Sequence, residues 1–124
     1  MLSSDYRVSG SGSFDQIVAS AARTASGSSA AFNTYGPITG IVFQVNTTAV
    51  SGTSPTLTVK VEDSVDGTNW NQVQTTSSIT ATGITLVRVD LRATPVTERL
   101  RFTWTIGGTT PSFTFAVDAY TLRA

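Results

Sequence analysis

Cysteine and histidine are both absent from this 124-residue chain, and lysine occurs once, at position 60. Without Cys there is no disulfide framework, no thiolate nucleophile and no thiolate metal site. Without His the usual general base near neutral pH and the commonest zinc ligand are missing. Charge is scarce as well: charged residues make up 13% of the chain, and eight basic side chains cancel eight acidic ones. Nucleic-acid binders draw most of their affinity from a basic excess, so no nucleic-acid partner is expected. No apolar run approaches the ~20 residues that cross a bilayer as a helix. Residues 1–13 lack the basic start and apolar centre of a secretory signal. The expectation is a chain with no membrane partner that is made and folded in a cytoplasm, where the sequon Asn46-Thr47-Thr48 is a chance match.

The same scarcity bears on catalysis. Abundant Ser and Thr supply no nucleophile without a base, and no pair of acids stands out as a glycosidase couple. Glu62, Asp63 and Asp66 lack the spacing of a calcium loop. Gly107-Gly108-Thr109-Thr110 reads as a turn from Ile106 back into Pro111 rather than a phosphate cradle. No enzyme, metal or cofactor is expected.

What is present is period-two alternation, the mark of half-buried strands. It is clearest in residues 86–91, 100–106 and 113–119. Read as two successive hairpins, these segments set Val89 against Phe102 and Val87 against Trp104. Phe102 then meets Phe115, and Trp104 meets Phe113. The polar face of that arrangement pairs Asp90 with Arg101 and Arg99 with Asp118. Upstream, Ile41, Phe43 and Val45 alternate, as do Leu57, Val59 and Val61. Ser51-Gly52-Thr53-Ser54-Pro55 reads as a turn between them. Residues 14–25 fit either a short helix or a strand, and a strand over 16–24 is favoured. No long-period repeat is evident. The sum is an all-β antiparallel sandwich or jelly roll of seven to eight strands over residues 14–124, with residues 1–13 as a flexible or partner-ordered arm.

The sharpest motif is Ser64-Val65-Asp66-Gly67-Thr68-Asn69-Trp70, which resembles the hairpin tips of discoidin-like sandwiches. Asp66 is expected to hydrogen-bond its own turn and Gly67 to take a positive φ. Trp70 is expected to anchor the returning strand in the core beside Phe102, Trp104, Phe113 and Phe115, with a bulge near Asn71 reconciling the parity of Trp70 and Val73. The alternative for Trp70 is an exposed platform for a carbohydrate. Arg88, Arg92, Arg99 and Arg101 fall together on the polar face of the registered strands. With Tyr6 and Arg7 on the arm, they form the candidate protein interface.

The order and spacing of Ala19-Ser20-Ala21-Ala22-Arg23-Thr24, of residues 40–53, of Thr56-Leu57-Thr58-Val59-Lys60-Val61 before the Asp-Gly tip, and of Ile79-Thr80-Ala81-Thr82-Gly83 resemble small structural proteins of tailed bacteriophages and prophages. The resemblance covers most of the chain from residue 14. It implies a virion component, foremost a capsid decoration (cement) protein on the capsid exterior. Its partners would be the major capsid protein and two further copies of itself in a homotrimer. It supplies no catalytic residue. A tail, neck or baseplate protein and a glycan-binding sandwich are the other readings.

Overall fold

A computed structural model of the chain describes residues 12–34, 38–92, 96–97 and 99–123. These are all-β, with no helix among them. In chain order the strands are β1 (Gly12–Arg23), β2 (Gly27–Ser28), β3 (Phe32–Asn33), β4 (Gly40–Ser64), β5 (Asn71–Thr75), β6 (Gly83–Asp90) and β7 (Arg99–Leu122). The extended reading of residues 16–24 holds as far as 23, where β1 ends. Of the expected arm, residues 1–11, with Tyr6 and Arg7, lie outside the described residues, and β1 begins at Gly12.

Two strands of 25 and 24 residues organise everything else. Residues 40–51 of β4 pair antiparallel with 112–122 of β7, and 56–64 of β4 pair with 99–107 of β7. β6 and β1 flank the former pair, giving a first sheet ordered β6–β4–β7–β1. β5 flanks the latter pair on the β4 side, and β2 and β3 on the β7 side, giving a second sheet. The two sheets close on each other. Phe43 of the first meets Phe102 of the second edge-on, ring centroids 5.0 Å apart. Trp104 and Phe115 do the same at 5.6 Å. The alternating set supplies the core: Ile41, Phe43, Val45, Leu57, Val59, Val61, Leu100, Phe102, Phe113, Phe115 and Val117 are essentially inaccessible.

The corner where each long strand passes from one sheet to the other is a matched pair. Gly52 (φ 113°) and Ser54 (φ 49°) on β4 face Gly108 (φ 112°) and Thr110 (φ 47°) on β7, with Thr53 opposite Thr109. Left-handed backbone is free for Gly but strained for Ser and β-branched Thr. Each glycine lies against the opposite strand. A Cβ at Gly52 would come 2.7 Å from the Thr110 carbonyl oxygen, and one at Gly108 2.8 Å from that of Ser54. The sequence repeats to match: Gly52-Thr-Ser-Pro-Thr-Leu-Thr-Val-Lys-Val-Glu-Asp63 and Gly108-Thr-Thr-Pro-Ser-Phe-Thr-Phe-Ala-Val-Asp-Ala119 share their pattern at a separation of 56 residues. The expectation of no long-period repeat is therefore corrected.

The expected hairpin order is corrected too. Ser51–Pro55 and Gly107–Thr110 do not reverse the chain. Their register shifts are bulges inside continuous strands. Val87 and Val89 pair with Phe43 and Ile41, and Phe102 and Trp104 with Val61 and Val59. Phe115 and Phe113 pair with Thr47 and Val50. Parity survived the change of partners because which residues face inward is a property of each strand alone.

Arg23 seals one edge of the sandwich. Its guanidinium lies 4.9 Å from the centre of the Trp104 ring and 4.8 Å from that of Phe115. It donates to the carbonyls of Ala19 (2.9 Å), Phe115 (3.0 Å) and Ala21 (3.1 Å). Those bonds bridge the bulged stretch of β1, whose register slips between Gln16 and Val18 and again before Ala21.

Candidate functional site

Alternation leaves each sheet an outer face, and the two faces differ in chemistry. The second sheet turns out Lys60 and Glu62 from β4, Arg99, Arg101 and Thr103 from β7, and Gln72 and Thr75 from β5. Trp70 lies on this polar face. It is half-buried, stands apart from the core cluster that takes in Val73, and has the Arg101 guanidinium 4.4 Å from its ring centre. The expectation that Trp70 anchors the core is therefore corrected. The β4–β5 register slips at Val73, not near Asn71, so Val73 turns inward and Trp70 stays out.

Arg101 is held at both ends. Its Nε donates to Glu62 Oε1 at 2.8 Å while its plane lies on Trp70. Lys60 Nζ is 3.5 Å from Glu62 Oε2. Glu62 points outward as expected, yet it is 7% exposed because Arg101 covers it. Covering a charge requires pairing, and two cations provide it. The result is a fixed platform of one indole, one guanidinium, one carboxylate and one ammonium.

Beside the platform stands the Asp66 tip, which forms as expected. Asp66 Oδ1 accepts from the backbone N–H groups of Thr68 and Asn69, both at 2.8 Å, and from the Ser64 hydroxyl at 3.1 Å. The Asn69 amide donates to Oδ2 at 2.8 Å. The Asn69 and Thr68 amides lead in holding this carboxyl far below the usual carboxylate range. Gly67 takes φ 80°, and Arg99 lies against it: a Cβ there would sit 2.7 Å from a guanidinium nitrogen. Thr97 closes the other side, donating from its backbone to Asp63 Oδ2 (3.1 Å) and from its hydroxyl to the Ser64 carbonyl (2.7 Å). Between them opens a cleft of about 260 Å³ lined by Asn33, Ser64, Val65, Thr97 and Arg99. Among the described residues no three acidic side chains gather to hold a metal ion.

The outer face of the first sheet is mixed and partly apolar. Phe14 of β1 sits opposite Tyr120 of β7, and Tyr120 opposite Val42 of β4. Val42 in turn faces Arg88 of β6, with Leu86 and Ile84 further along that strand. Phe14, Ile84, Leu86 and Tyr120 are four of the five exposed large hydrophobic residues among those described, the fifth being Val65 at the tip. Gln44 donates to Asp118 Oδ2 at 3.5 Å within the same face.

The four arginines expected to cluster do not. Arg88 is on the outer face of the first sheet, and Arg99 and Arg101 are on that of the second. Arg92 follows β6, its backbone N–H held by Asp90 Oδ1 at 3.0 Å. Arg101 pairs with Glu62 rather than Asp90, and Asp118 lies beside Gln44 and Gln16 rather than Arg99. The physical reason is the corner, which sends residues 86–90 and 99–107 to different sheets. Phe102, Trp104, Phe113 and Phe115 are core as expected. Sequence reasoning missed Phe14, Ile84, Leu86 and Tyr120. The signal was available for Ile84, Leu86 and Tyr120, each apolar at the parity opposite to its strand's core set, whereas Phe14 shares the parity of Val18 and is turned outward by the register slip between Gln16 and Val18.

No protein-family model matches the chain, and no curated protein matches it. Among solved structures, TmCBM61 in complex with beta-1,4-galactotriose is similar over 91% of this chain and 70% of its own. The identity is 16% and the TM-score 0.42. That likeness is loose, and what that protein binds remains a fact about that protein.

Proposed function

We propose that this domain is a non-catalytic binding module, and that the outer face of its second sheet takes a saccharide. The observation that carries the reading is the position of Trp70. An indole outside the core, braced by Arg101 on the face that also carries Glu62, Lys60 and Gln72, offers what a sugar requires. A flat apolar surface meets the axial hydrogens of a pyranose, and fixed donors and acceptors meet its hydroxyls. Bracing lowers the ordering cost of binding, since the indole and guanidinium are already immobilised. Affinity electrophoresis through gels cast with a panel of soluble polysaccharides tests this. Retardation by at least one polymer, lost in Trp70→Ala with the circular dichroism unchanged, is expected. Migration unaffected by every polymer would remove the reading.

A second reading rests on the first sheet. A face bearing Phe14, Tyr120, Leu86, Ile84 and Arg88 has the aromatic, aliphatic and arginine mixture of a protein interface. With the resemblance to phage decoration proteins, it favours docking of this face on the major capsid protein, many copies adding their modest contacts into avidity. The two outer faces point in opposite directions, so both functions fit one molecule. Co-sedimentation with assembled shells would support docking if it is lost in Leu86→Asp, and retention of Leu86→Asp at wild-type occupancy would discard it.

A further inference from the structure

We infer that the saccharide taken by the second sheet is an acidic one, its carboxylate bound by Arg99 in the cleft beside Trp70. This rests on the saccharide reading and specifies its ligand. Arg99 and Arg101 alternate onto the same outer face of β7, two residues and therefore roughly 6.6 Å apart along the strand. The indole platform and the cleft consequently form one continuous surface, about one to two sugar rings long.

The charges along that surface are not equivalent. Glu62 is saturated by Arg101 and Lys60. Asp66 is committed to the Thr68, Asn69 and Ser64 donors, and Asp63 receives the Thr97 amide. Among the described residues both ion pairs belong to Glu62, so Arg99 has an ion-pair partner in none of them. Its guanidinium lies against Gly67, where the missing Cβ leaves room for it. An exposed guanidinium without an ion-pair partner, at the wall of a cleft of about 260 Å³, is suited to bidentate recognition of a planar carboxylate. Asn33, Ser64 and Thr97 complete the polar lining, the Ser64 hydroxyl held by Asp66 and Gly67 and the Thr97 hydroxyl by the Ser64 carbonyl, so Arg99 carries the recognition.

The test uses the intact chain and matched ligands. Uronate tetrasaccharides of the galacturonate, mannuronate and glucuronate series are titrated calorimetrically, each beside its methyl ester, which keeps the ring and removes the charge. Neutral oligosaccharides of equal length complete the set. Preference of about tenfold or more for an acid over its ester is expected, weakening as salt rises. Arg99→Gln should abolish that preference, bringing acid affinity down to that of the ester, and Arg99→Lys should keep part of it. Trp70→Ala should weaken acid and ester alike. Equal binding of acid and ester, binding of neutral sugars only, or an Arg99→Gln protein with preference intact would each overturn the inference while the saccharide reading stands. Binding of none of these ligands would overturn both.

Discussion

Replacing Gly108 by Ala should be among the most damaging single-methyl changes available in this fold. Two costs add. The backbone at Gly108 has φ 112°, where an L side chain is strained, at about 1–3 kcal/mol. The added Cβ would also sit 2.8 Å from the Ser54 carbonyl oxygen, 2.9 Å from Pro55 Cα and 3.0 Å from the Thr53 carbonyl oxygen. All three are backbone atoms of the facing strand, which cannot swing aside as a side chain would, and overpacking of this kind costs about 1–3 kcal/mol. The sum is about 2–6 kcal/mol. Gly83 provides the control, since its φ is 143° and nothing lies within 4 Å of a built Cβ. Gly83→Ala should therefore show only the backbone cost, about 1–3 kcal/mol. At about 4 °C per kcal/mol for a domain of this size, Gly108→Ala should lower Tm by about 4–12 °C more than Gly83→Ala does, the excess being the overpacking alone. Differential scanning calorimetry of the two variants reads the difference. Gly52→Ala should resemble Gly108→Ala, and the double variant should cost less than their sum, because a corner opened for one methyl has room for the other. Equal, small losses for Gly108→Ala and Gly83→Ala would refute the close apposition of β4 and β7 at the corner.

Three further outcomes are expected. Arg23→Ala should cost about 1–3 kcal/mol in urea unfolding, because it removes three charged hydrogen bonds and two ring contacts, and Arg23→Lys should restore only part of it. Trp104→Ala should lose about 3–5 kcal/mol in the same assay and Trp70→Ala far less, since the former indole is 9% exposed in the core and the latter stands outside it. The folded Asp66 carboxyl titrates below its unfolded counterpart, so its contribution is complete above the ordinary carboxylate range near pH 4 and is lost as pH falls towards its depressed folded value. Melts recorded from pH 6 to 2 should accordingly be flatter for Asp66→Asn than for wild type.

Strand content, the inward-facing set and the Asp66–Gly67 tip were legible because they are local. Alternation at Leu57, Val59 and Val61 needs no partner to be read, and neither does an Asp-Gly turn. Strand partnership is a long-range property. Residues 100–106 and 113–119 alternate as two hairpin arms would, and Gly107, Gly108 and Pro111 between them imitate a reversal. The discriminating signal was the repetition of Gly-Thr-Ser/Thr-Pro at 52–55 and 108–111, which points to one shared corner rather than two unrelated turns. Trp70 was misplaced by requiring it and Val73 both to face inward, when the single bulge at Val73 lets only the valine do so. Arg23 was passed over because a cation among Ala, Ser and Thr carries no periodic signal. Its role comes from the Trp104 and Phe115 rings, far along the chain.

Saccharide binding of the kind proposed requires a working indole at Trp70, on the outer face of the second sheet. Nuclear magnetic resonance of the two tryptophan indole N–H groups during saccharide titration addresses it within one spectrum. The Trp70 resonance should move with the ligand to saturation, while that of Trp104, a core indole whose Nε1 donates to the Ala25 carbonyl, should stay in place. A titration in which Trp70 stays fixed while the residues of β1 and β6 shift, or in which no oligosaccharide moves either indole, would contradict it.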